Sequence, residues 1–228
     1  MEYNEEEKNN LEYKSALKYD KRTYIQFYLS LLKTKHIFIF SFFYNEDYNS
    51  KIIKIDLFSI NFIIFFSINA LFFSDSTMHK IFTAQGSFNL EYQLSHIAYS
   101  FLISTLLQVI IKLFSLSEEN ILEFKHNKNK ATVDKRYKAL KEKLEMKFIL
   151  YFILSFLLLL FFCYYLAIFG VIYKNTQLHL LKDTAFSYAL SFISPFGYYL
   201  IPGLIRIFSL KNKKRNCFYK VSLFIQSM

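Results

Sequence analysis

Residues 148–173 read FILYFILSFLLLLFFCYYLAIFGVIY, 26 positions without one charged side chain. About 20 apolar residues, at ~1.5 Å of rise each, cross the ~30 Å hydrocarbon layer of a bilayer. This run is longer, so it spans with tilt or with its tyrosines in the headgroup layer. A soluble domain has to bury such a helix on every side, and this chain holds further runs that would need the same cover. The constraint selects a membrane-embedded, all-α chain.

Three more stretches fit spans, at roughly 55–73, 94–116 and 184–205. The expected fold is an integral membrane four-helix bundle over 47–225, with an interfacial N-terminal helix and a cytosolic helical stem. Residues 1–22 read as a polar, solvated tail in which Glu5–Glu7 have no role. Residues 23–46 are assigned to the interface because Lys33, Lys35 and His36 sit mid-stretch. A lysine at a span centre costs about 2.5–3.5 kcal/mol, more than a neighbouring Leu or Phe recovers. In the first span Asp56 is expected in the opening turn, complementing the helix dipole, with Lys51 and Lys54 reaching to the headgroups. Asn61 and Asn69 lie deeper and should face other helices. Residues 74–93 read as a polar loop. In the stem (117–147) HNKNK marks a turn, after which Val133, Tyr137, Leu140 and Leu144 step by 4, 3 and 4, a helical stripe that should continue into Phe148. The link 174–183 is short, which makes spans three and four antiparallel neighbours. Pro195 should kink the fourth span, with Ser191 capping the freed carbonyl.

Charge sets the expected threading. The chain carries 28 Lys+Arg against 18 Asp+Glu. Nine Lys/Arg fall in residues 1–54, nine in 117–147 and six in 206–228, whereas Lys80, Lys174 and Lys182 stand alone on the opposite side of a four-span arrangement. That asymmetry places both termini in the cytosol. The basic residues flank apolar spans and accompany no nucleic-acid fold signature, so nucleic acid is not an expected partner. The opening MEYNEEEKNN lacks an apolar core, so insertion is expected to begin at an internal span. Two cysteines, Cys163 and Cys217, make no disulfide framework.

Two polar patterns interrupt the spans. His96, Ser100, Ser104, Gln108 and Lys112 recur at i, i+4 in the second, and Ser187, Ser191, Ser194 and Tyr198 step by 4, 3 and 4 in the fourth. Such a stripe has to meet protein or water, and the two are expected to face each other, leaving the third span most exposed to lipid. One reading is a hydrogen-bonded helix seam; the other is a hydrated path for ions or protons. In the basic tail (206–228) Lys211, Lys213, Lys214 and Arg215 are a candidate contact for anionic lipid. His79 reads as a solvated loop histidine. No HExxH, GxSxG or DHHC motif occurs, and no catalytic, cofactor or metal site is expected. The expected function is a structural or interaction module in a membrane complex, contacting the bilayer and membrane-protein partners or a second copy. The alternative is a small channel or transporter subunit using the stripes.

From Asp47 onward the blocks DYNSKIIKIDLF, NALFFSDSTMHKIF, GSFNLEYQLSHIAYSFLIS and YKNTQLHLLKDTAFSYALSFISPFGYYLIPGLIR resemble the C-terminal multi-pass region of a group of uncharacterised protist transmembrane proteins. The resemblance implies a multi-pass membrane protein and carries no activity, cofactor or catalytic residue. The short acidic N-terminal tail departs from the longer members.

Overall fold

The computed structural model of the chain describes residues 3–83, 90–126, 133–211 and 216–227, and these are helical, with no β-strand among them. Four helices are long and apolar enough to cross a membrane: Lys51–Leu71, Leu94–Lys125, Val133–Ile172 and Gln177–Lys211.

Before the first of them lie four short helices: α1 (Glu5–Asn9), α2 (Tyr13–Tyr19), α3 (Tyr24–Lys35) and α4 (Ile37–Phe42). Two of their starts are written locally. Asn4 with Glu7, and Thr23 with Gln26, form reciprocal capping boxes that satisfy otherwise orphaned amides. Next comes α5 (Lys51–Leu71), the hub, packed against α4, α7 (Leu90–Ser115), α9 (Val133–Ile172) and α10 (Gln177–Tyr198). Ile53, Leu57, Ile60, Ile64 and Ile68 step by 4, 3, 4 and 4 and are all buried, the stripe a helix needs to pack on several neighbours. Half of the apolar window of α5 is buried (50%), against 6% for α9.

The stem helix runs unbroken into the long apolar run as α9, 40 residues in all. A short 3-10 turn (Lys174–Thr176) leads into α10. The two helices touch at this joint, where Leu180 packs with Phe169 and Gln177 Nε2 donates to the Gly170 carbonyl at 3.0 Å. Beyond it α10 packs mainly on α7, α5 and α11 (Leu200–Lys211), while α9 packs on α5, α7 and α8 (Glu118–His126). The tight link therefore fixes direction without making α9 and α10 neighbours along their length.

Several expectations change. Residues 75–83 form a helix, α6 (Asp75–Thr83), not a loop, because Ser74 offers its hydroxyl to the Thr77 amide at the start and Ile81 reaches the core. Since α5 begins at Lys51, Asp56 falls beyond its first turn, where it accepts the Tyr151 phenol proton at 2.7 Å. Lys54 does not reach to a headgroup: it is buried, 2.8 Å from Asp47 and over the Phe40 ring. The α10 helix continues through Pro195 and breaks at Tyr199, and the Ser191 hydroxyl bonds the Tyr188 carbonyl instead. The HNKNK turn lies mostly outside the described residues.

The break at Tyr199 explains how α3 is held. Tyr28 Oη donates to the Phe196 carbonyl at 2.9 Å and His36 Nε2 meets the Phe192 carbonyl at 2.9 Å. Gly203 allows the approach, since a Cβ there would lie 2.9 Å from Tyr24 Cε2. Phe27 and Leu31 are fully buried, while Ile25 and Leu29 on the other side stay exposed.

The N-terminal residues are not a solvated tail. Arg206, fully buried, donates to the carbonyls of Asn9 (2.8 Å) and Lys8 (2.7 Å) and to Asp20 (2.8 Å), and stacks over Phe27 and Tyr219. Arg22 joins Asp20, Asn9 and Ser30. From α12 (Asn216–Ser227) Gln226 donates to the Asn9 carbonyl and Tyr219 to that of Leu11. Glu7 is buried and paired with Lys125 at 3.0 Å. Both ends of the chain thus close on one guanidinium.

Removing one partner of a buried pair strands the other, at about 3–5 kcal/mol; Arg206→Ala should lower the melting temperature in detergent far more than Lys211→Ala. Burial works against the Asp20 carboxylate, but hydrogen bonds and charge from Arg22 and Arg206 outweigh it and hold its carboxyl below the usual range. The stabilisation is therefore whole above the ordinary carboxylate pKa and is lost as pH falls below it, through the depressed value. Melting temperatures of the natural chain and Asp20→Asn should differ at neutral pH and converge in acid.

Candidate functional site

Where α5, α7 and α10 meet, polar side chains turn inward. From α7 come His96, Ser100 and Ser104, the two serines fully buried. From α5 come Asn61, Ser67 and Asn69, and from α10 Asp183, Thr184 and Ser187, all buried. The structure brings the α7 stripe together with Asn61 and Asn69, which face neighbouring helices.

At one end His96 Nδ1 lies 3.7 Å from Asp183 Oδ2, within ion-pair range but too long for a hydrogen bond. Beside them Ser187 Oγ lies 3.1 Å from Asn69 Oδ1 and 2.9 Å from the Asp183 carbonyl, so one hydroxyl proton faces two acceptors. Asn69 Nδ2 donates to the Phe65 carbonyl at 2.7 Å. The edges of Phe72 and Phe73 close over the imidazole. One proton suffices for the His96–Asp183 pair: on Asp183 it leaves two neutral groups, and on His96 it leaves opposite charges in contact. Without it a lone carboxylate is buried among rings and aliphatic chains, at a cost of several kcal/mol.

The seam is under-satisfied. Both ring nitrogens of His96, both carboxylate oxygens of Asp183, the hydroxyls of Ser67, Ser100, Ser104 and Thr184, and both side-chain atoms of Asn61 are buried without a hydrogen-bond partner among the described residues. Buried polar atoms normally find partners. At the other end a cavity of about 10 Å³ lies between Asn61, Gln108 and Lys112, walled by Ile37, Leu57, Ile60, Ile64 and Ile111. A single water needs about 10–15 Å³ on this measure.

The fourth-span pattern divides. Only Ser187 joins the seam. Ser191 bonds within its own helix, Ser194 is exposed, and Tyr198 Oη donates to the Ile225 carbonyl at 2.6 Å. The 4-3-4 spacing keeps these residues on one face, but the neighbours along that face change. Past Tyr188 the helix meets α3 and α4, with Phe192 against His36 and Phe38. In the tail, Lys211 is exposed; Lys213, Lys214 and Arg215 lie outside the described residues.

The sequence reading missed Asp183, assigned to the link before the fourth span. The signal was present: His179, Asp183, Ser187 and Ser191 recur at i, i+4, so extending the stripe one turn back finds the carboxylate. No group of three or more His, Cys, Asp or Glu among the described residues could hold a metal ion.

If the pair is structural, replacing either member alone exposes the cost of the other, whereas replacing both removes it. His96→Leu and Asp183→Leu should each destabilise the detergent-solubilised chain, Asp183→Leu less because a neutral imidazole is cheap to bury. The double variant should melt at or above the natural chain, measured by intrinsic tyrosine fluorescence.

Comparison with protein-family models, with curated proteins and with solved structures returns no match to this chain.

Proposed function

We propose that this chain is a four-span integral-membrane module that anchors or assembles a membrane complex, with both termini cytosolic and no catalytic chemistry of its own. The observation that carries this reading is the tightness of the seam. At its Gln108 end isoleucines and Leu57 wall a space that admits about one water, and at its His96 end Phe72 and Phe73 stand against the imidazole. A module of this kind needs an outer surface that lipid or another membrane protein covers. On α9 Ile149, Phe152, Ile153, Phe156, Leu157, Leu160 and Tyr164 are all exposed, a surface that water would not tolerate. Exposed Ile25 and Leu29 support α3 as a helix resting in the interface, and the lysine asymmetry supports the threading. The likeness to protist multi-pass regions belongs with this reading and adds no activity to it.

The second reading is a small channel or transporter subunit. The His96–Asp183 pair favours it, since an ionisable residue within a span is a place to hold a proton.

Flux separates the two. In sealed vesicles carrying an internal pH dye, the module should leave the bilayer as proton-tight as empty vesicles. A proton flux that Asp183→Asn abolishes, with size-exclusion behaviour unchanged, would overturn the structural reading in favour of transport. For the threading, an amine reagent that cannot cross membranes should label Lys80, Lys174 and Lys182 on intact cells and spare Lys138, Lys141 and Lys143; the reverse pattern inverts it.

A further inference from the structure

A second cavity, of about 220 Å³, lies where the N-terminal helices close over the C-terminal end of α7 and over Lys147 of α9. A water needs about 10–15 Å³ on the same measure, so the space suits a ligand of several heavy atoms. Its polar wall carries Glu6, Lys35, Asp47, Lys112, Glu118 and Lys147, and its apolar wall includes Phe40, Val109, Leu113 and Leu116.

Most of these charges are already engaged. Lys35 pairs with Glu6 at 2.9 Å, and Asp47 with the buried Lys54 at 2.8 Å. Glu118 accepts from the Asn4 amide at 2.9 Å and from the Tyr48 backbone N–H. Lys147 donates to the Leu116 carbonyl at 2.6 Å. Lys112 differs: among the described residues no carboxylate lies within ion-pair distance of it, and it faces the cavity. An ammonium placed this way, in a wall otherwise apolar on its own helix, calls for an anion.

The apolar wall says what kind. Val109 and Leu113 line the cavity and are also exposed, so the wall is continuous with the outer surface of α7. From Leu113 the exposed residues Val109, Leu106, Leu102 and Tyr99 step back by 4, 3, 4 and 3, a single stripe along the helix. Fourteen residues at ~1.5 Å give about 21 Å, longer than the ~15 Å of one hydrocarbon leaflet, half of the ~30 Å core. The cavity is thus a polar chamber opening onto a track the length of an acyl chain.

We propose that this cavity is a binding site for an anionic phospholipid, its phosphate held by Lys112 with Lys147 and Lys35 nearby, and one acyl chain lying along Leu113, Val109, Leu106 and Leu102. The site rests on the membrane reading, and Lys211 is not among its lining residues.

The full chain in mild detergent is titrated with short-chain phosphatidic acid, with phosphatidylcholine of the same chain length, and with inorganic phosphate, following melting temperature. Phosphatidic acid should give a saturable rise, with phosphatidylcholine and phosphate giving little at the same concentration. Lys112→Met, which keeps the apolar stem, should weaken the midpoint at least tenfold. A response to phosphate equal to that of phosphatidic acid would replace the lipid by a soluble anion and overturn the proposal, as would equal midpoints for the natural chain and Lys112→Met. Should that variant fail to fold, protection of Lys112 from an amine reagent, read by mass spectrometry on the unaltered chain, gives the same decision: phosphatidic acid should protect it, and no protection sinks the site. Because this titration uses no bilayer, its failure is distinct from a failure of the threading, which the labelling of Lys80, Lys174 and Lys182 on cells decides.

Discussion

Helices that turn their apolar faces outward have to gather their polar side chains within. In this chain α9 shows Ile, Leu, Phe and Tyr around nearly its whole circumference, and α7 shows a similar stripe on its outer side. Asn61, Ser67, Asn69, Ser100, Ser104, Asp183 and Ser187 accordingly gather where α7 and α10 meet α5, which has the largest buried share of the four long helices. The backbone imposes the same rule, since hydrocarbon offers no partner to a free carbonyl. Just before α10 breaks at Tyr199, the Phe196 carbonyl accepts from Tyr28 of α3, and one turn earlier the Phe192 carbonyl meets His36, the residue that follows α3. A helix that reads as peripheral is thus tied to the place where a neighbouring helix is interrupted.

The interior polar groups fall into two kinds, and the contrast is informative. Around Arg206 the guanidinium is surrounded by Asp20, two backbone carbonyls and two aromatic faces. A satisfied buried charge of this kind specifies one arrangement more than it adds net stability, and here it specifies that the two chain ends meet. The seam around Asp183 holds acids, hydroxyls and amides in numbers that do not pair among themselves. At the Gln108 end the isoleucine-walled space is of about one water's size, and such a water hydrogen-bonds two to four groups. That difference is why the first cluster reads as architecture and the second as the place to look for a proton.

Apolar runs made the four long helices legible, because length and the absence of charge are read directly from a span. The α7 stripe was legible for the same kind of reason: i, i+4 spacing on one helix needs no partner to be seen. What was not legible depended on contacts distant in sequence. Glu7, Lys54 and Arg206 are residue types that lie on surfaces unless paired, and their partners, Lys125, Asp47 and Asp20, stand 118, 7 and 186 positions away. Even the near one was missed, since Asp47 and Lys54 meet only after the chain turns into α5. The helical start at Gln177 escaped because two lysines, a histidine and an aspartate in ten residues look like a link. It is the burial of Asp183 against His96, supplied by another helix, that makes them part of a span.

Lys112 stands at the junction of these features. It lines the small cavity with Asn61 and Gln108 and also the large one with Lys35 and Lys147, so one side chain borders both spaces. An ammonium at that point opposes the passage of any cation between the two, by the same Coulomb term that draws an anion toward it. A phosphate on its chamber side would neutralise the charge while filling the exit with a headgroup. A lipid headgroup bound as proposed would sit on the chamber side of Lys112, an arrangement that suits the proposed assembly role better than the passage of cations past that ammonium.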